Sequence, residues 1–69
     1  MERDVEKITD REYFAKTLRR VADAVEAGES FRIQVAGHRF TVPADATMSV
    51  EHEAEAGEEE LELQFKWGS

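Results

Sequence analysis

Cysteine is absent from this sequence, and with it go disulfides and thiolate zinc sites as braces for a small core. There is one proline and one tryptophan, and histidine occurs twice, at His38 and His52. No run of ~18 apolar residues occurs, so a membrane-spanning helix is not expected. The opening MERDVEK alternates charges and has no apolar stretch of the kind a secretory signal needs, so a soluble, cytoplasmic protein is expected. Basic residues are scarce: nine Lys and Arg stand against sixteen Asp and Glu, a net charge of −7. Such a balance excludes a general polyanion binder, whose phosphate contacts need a basic face, and predicts no nucleic-acid partner.

The acidity is uneven. Residues 1–47 hold eight bases and nine acids, a balance of −1; residues 48–69 hold Lys66 and seven glutamates, a balance of −6. An acidic surface of this kind suits a salt-rich, halophilic cytoplasm, where like charges are screened over a few ångströms. With 69 residues, the chain makes one domain over 1–69 and buries only ~60% of the surface that its unfolded form exposes. Packing, charge pairs or a second chain must supply the stability that no staple provides.

What is present is a clear change of period. Thr9-Asp10-Arg11-Glu12 has a capping-box pattern with Thr9 as N-cap. Phe14, Leu18, Val21, Ala22 and Val25 follow at helical spacing, and Gly28 supplies a left-handed stop, so a helix is predicted over about 10–27. Beyond it the period is two. Phe31, Ile33 and Val35, then Phe40 and Val42, alternate with polar residues around Ala36-Gly37-His38. With Gly37 and His38 as the loop pair, Val35 faces Phe40 and Ile33 faces Val42. Pro43 ends the strand. A second hairpin has Met48, Val50, His52 and Ala54 on one strand and Leu61, Leu63, Phe65 and Trp67 on the other, across an Ala56–Glu59 loop. Pairing Ala54 with Leu61 sets Val50 opposite Phe65 and Met48 opposite Trp67. Neighbouring hairpins would bring Arg39 opposite Glu51. The expected fold is α+β: one N-terminal helix packed on a four-stranded antiparallel sheet of two hairpins. Val5 and Ile8 leave open a short N-terminal edge strand within the 1–8 lead segment.

The helix end TLRRVADAVEAGE, the paired strands FRIQVAGHRFTVPA and the closing LELQFKW, in that order, resemble the Amphi-Trp domain, over roughly residues 9–67. The resemblance implies a small domain ending in an amphipathic strand with a tryptophan. It brings no reaction, ligand or catalytic residue to carry over.

Candidate sites are few. No serine, cysteine or second histidine converges on His38 or His52, so no catalytic residue is assigned and an enzyme is not expected. His38 is read as a turn residue and His52 as a half-buried member of a strand face. Glu53, Glu55, Glu58, Glu59, Glu60 and Glu62 form a solvated acidic face that attracts cations diffusely, without the six to eight converging oxygens of a dedicated site. No metal or cofactor is assigned. Arg19, Arg20, Arg32 and Arg39 are expected to pair with Asp23, Glu26 and Glu51, and Tyr13 to lie at the margin of the buried helix face. Gly68 and Ser69 are assigned no role.

The apolar residues outnumber what one helix covers. Four strands at ~4.8 Å spacing span roughly 15–20 Å, whereas a helix covers about 10 Å. Either a strongly twisted sheet curls around the helix, or a second copy covers the remainder as a two-fold homodimer. The second option is the favoured expectation, with Met48, Val50, Phe65 and Trp67 as interface. The functional expectation is a non-enzymatic interaction or self-assembly module, with an unidentified protein partner as a further option. The alternative is a binder of a small ligand or divalent cation, through the helix–sheet crevice or the acidic C-terminal hairpin.

Overall fold

A computed structural model describes residues 8–68; the expected N-terminal edge strand falls almost wholly outside them. The order is α1 (Arg11–Ala27), β1 (Phe31–Val35), β2 (His38–Val42), β3 (Thr47–Glu55) and β4 (Glu58–Lys66), an α+β arrangement.

The helix starts one residue later than the capping box suggested. Asp10, not Thr9, is the N-cap: its backbone is extended and its Oδ1 accepts the Tyr13 N–H at 2.8 Å. Both residues are good caps, and Asp10 adds a carboxylate at the positive end of the helix dipole. At the other end Gly28 is left-handed, with φ 70°. The Gly28 and Glu29 N–H groups donate to the Val25 and Ala24 carbonyls at 3.1 and 2.9 Å, the paired bonds of a Schellman stop.

Both hairpins are antiparallel, and both close one step nearer their alanine than expected. The first turn is Ala36-Gly37, with φ 49° and 82°; the second is Ala56-Gly57, with φ 50° and 85°. A two-residue turn positive at both positions matches the right-handed twist of its strands, and glycine takes the second position. His38 therefore belongs to β2 and pairs with Val35, while Ile33 pairs with Phe40 and Phe31 with Val42. In the second hairpin Met48 pairs with Phe65, Val50 with Leu63 and His52 with Leu61. Trp67 stands just past β4 rather than opposite Met48. In each case the register differs from expectation by two residues, so every side chain that was assigned to a strand keeps its predicted face.

Among the described residues no ladder joins the two hairpins, which form separate two-stranded sheets. Arg39 consequently has no place opposite Glu51 in a common sheet. Side chains connect the two instead: Phe31 meets Phe65 edge-to-face at 5.4 Å, and Phe40 stacks on Trp67 at 6.3 Å. The interior is small. Among the described residues only Val42 and Ala46 are buried, near the β2–β3 connection, where the Ala46 N–H donates to the Pro43 carbonyl at 3.2 Å.

Candidate functional site

The apolar stripe of α1 and the inner faces of both hairpins converge on a cleft without filling it. This cleft, of about 640 Å³, is lined by Phe14, Leu18 and Val21 from the helix and by Ile33, Phe40 and Leu61 among the strand residues. A second apolar opening of about 430 Å³ reaches Val25, Met48 and Val50. The two share Leu18, Val21, Leu63 and Phe65. The side chains meant for the core therefore stand in the open: Leu61 is 74% exposed, Val50 70%, Phe14 57%, Leu63 56% and Met48 55%. Trp67 is 41% exposed, with one face against Phe40.

Of the four interface residues read from the sequence, Met48, Val50 and Trp67 are exposed and Phe65 is half-buried. Leu61 and Leu63 belong with them. Their alternation placed them on the right face, but it carries no sign of whether the helix would reach them.

The other face of the second hairpin is carboxylate. The register sets Glu51 opposite Glu62, Glu53 opposite Glu60 and Glu55 opposite Glu58, three like-charge pairs that work against the hairpin. Carboxylate oxygens of Glu51, Glu53 and Glu62 lie within 4.8 Å of one another. Beside them Gln64 Nε2 donates to Glu62 Oε1 at 3.0 Å, while Gln64 Oε1 is buried without a partner. Of the glutamates grouped from sequence, Glu59 departs. It opposes Ala54 on the apolar side, and its Oε1 lies 2.9 Å from His52 Nε2. His52 is exposed, not half-buried as expected. Glu51, left out of that group, joins the acidic face.

The arginines do not form the expected ion pairs with Asp23, Glu26 and Glu51 among the described residues; the basic side chain found against a carboxylate there is His52, beside Glu59, an ion pair when the imidazole is protonated. Arg20 turns toward the strands, its Nη1 donating to the Arg32 carbonyl at 2.7 Å. The His38 ring lies 5.8 Å from that of Phe40. It stands on β2 and His52 on β3, in different sheets. Among the described residues no helix is long and apolar enough to cross a membrane.

The model of the Amphi-Trp domain family matches residues 1–69. Comparison with curated proteins and with solved structures found no match.

Proposed function

The chain belongs to the Amphi-Trp domain family, and we propose that it is a non-enzymatic interaction module that docks a protein surface through its apolar cleft and the adjoining face of β3 and β4. One observation carries this reading. Among the described residues ten large hydrophobic side chains are more than a third exposed and two residues are buried, and most of the ten line the two apolar openings. Contiguous apolar surface above a few hundred Å² marks an interaction site, and an indole at its edge is a common anchor. Separation of the two histidines into different sheets supports a non-enzymatic role. The carboxylate ladder supports a halophilic setting, because facing glutamates repel less where salt screens them.

Two features favour the second reading, a small-ligand or cation binder. The 640 Å³ cleft has the volume of a small-molecule site, and three carboxylates cluster on the acidic face. A thermal-shift screen over divalent cations and metabolites separates the readings, since a ligand of the native state raises the melting temperature. A flat screen is the outcome expected of a docking module. A rise of several degrees with one metabolite or one cation at low concentration would replace it with the second reading.

A further inference from the structure

We infer that the surface covering the β3–β4 apolar face is a second copy of this chain, set against it by a two-fold axis that brings Val50 and Leu61 into the contact. The inference rests on the reading of that face as a docking surface, and it names the partner.

Area is the first argument. Val50, Leu61, Leu63 and Met48 on the strands and Phe14 and Leu18 on the helix are between 40% and 74% exposed. At roughly 150–200 Å² for a fully exposed large side chain, they present on the order of 500–700 Å² per chain, close to the ~800 Å² that each partner gives to a standard interface. A small ligand seated in the 640 Å³ cleft leaves Val50 and Met48 in the second opening uncovered. A facing protein surface covers both openings.

Charge distribution is the second argument. The face behind this apolar surface holds Glu51, Glu53, Glu55, Glu58, Glu60 and Glu62. Two chains of net charge −7 repel in most orientations. Apposing the apolar faces is the orientation that turns both carboxylate ladders outward to water and counterions. His52, directly opposite Leu61, and Glu59 lie on the apolar side toward the turn, so the turn end of the face is a polar margin and Met48, Val50 and Leu63 make its oily part, the anatomy of protein interfaces.

The chain also needs a partner to complete its core. A chain of this size in which two of the described residues are buried has little core of its own. A partner that completes the core must be present whenever the chain is, and a second copy always is. An isologous pair also closes, so no apolar face is left over to propagate.

The absence of native cysteine permits a direct test. Sedimentation of the full chain is measured from low to high micromolar concentration, at low and high salt. Trp67 emission and binding of an apolar dye are recorded on the same samples. Single variants Leu61→Cys and Val50→Cys are oxidised mildly beside Glu53→Cys on the opposite face. The expected result is a particle of about 16 kDa, twice the 7.9 kDa chain, more populated at high salt. Disulfide dimers should then form through Leu61→Cys and Val50→Cys several-fold faster than through Glu53→Cys. A 7.9 kDa particle at every concentration that binds dye and has water-exposed indole emission overturns self-pairing and leaves the docking reading standing. The same mass with no dye binding and a shielded indole overturns both, since the sheets have then closed on the helix within one chain. A dimer that cross-links fastest through Glu53→Cys, or a particle larger than two chains, overturns the two-fold contact proposed.

Discussion

Ala36 and Ala56 each sit at a backbone angle that a β-carbon disfavours, with φ of 49° and 50°. The left-handed region costs an L-residue roughly 1–2 kcal/mol. Asparagine before glycine is the preferred pair for such turns, so Ala56→Asn should stabilise the fold by about 0.5–1 kcal/mol. In a domain of this size about 1 kcal/mol raises the melting midpoint by ~4–8 °C; calorimetry that finds no rise would show that the second turn does not limit stability. The helix start offers the opposite case. Asp10→Ala removes the acceptor for the Tyr13 N–H and should cost about 1 kcal/mol, whereas Thr9→Ala should cost far less. The capping-box spacing in the sequence pointed to Thr9, the wrong one of the two, because either side chain can accept the bond. The choice depended on where the backbone turned extended, which no single residue type dictates.

At the scale of the element, the second hairpin carries opposite chemistry on its two sides. Its sides were legible in the sequence because a strand has period two. A register error of two residues leaves every side chain facing the same way. Register itself was not legible, because Ala36-Gly37 and Gly37-His38 are both plausible pairs until the positive φ of the alanine is known. In the second hairpin the same two-residue shift has an energetic consequence: it raises the facing glutamate pairs from two in the expected register, Glu53–Glu62 and Glu55–Glu60, to three. Reversing one charge should therefore help. Glu60→Lys, facing Glu53, is expected to stabilise the hairpin by about 0.5 kcal/mol at low salt and to flatten the rise of stability with salt. The screening that relieves repulsion in the parent weakens attraction in the variant. Urea denaturation at low and high salt measures both slopes, and parallel slopes would mean that the ladder's repulsion is already dissipated in water.

For the whole molecule, the sequence showed more apolar face than one helix covers, because that count needs only strand number and helix width. It did not show that the hairpins part into separate ladders. Whether β2 and β3 pair depends on the path of the Pro43–Ala46 connection, which local propensity does not govern. Parting them opens the cleft and leaves Trp67 half-supported, stacked on Phe40 and otherwise reaching the surface. Two magnitudes follow for Trp67→Ala. Within one chain it loses an aromatic contact of about 0.5–1.5 kcal/mol. Within a pair that buries the indole fully it loses about 3–5 kcal/mol. The midpoint of the parent should therefore rise with protein concentration, as it does for any native state stabilised by association, and Trp67→Ala should lose most of that rise. Two chains of like charge approach more easily when screened, so the concentration dependence should be steeper at high salt. Thermal denaturation of parent and variant over a hundredfold range of concentration tests this. An equal loss at both ends of the range would assign the indole to the core of its own chain alone.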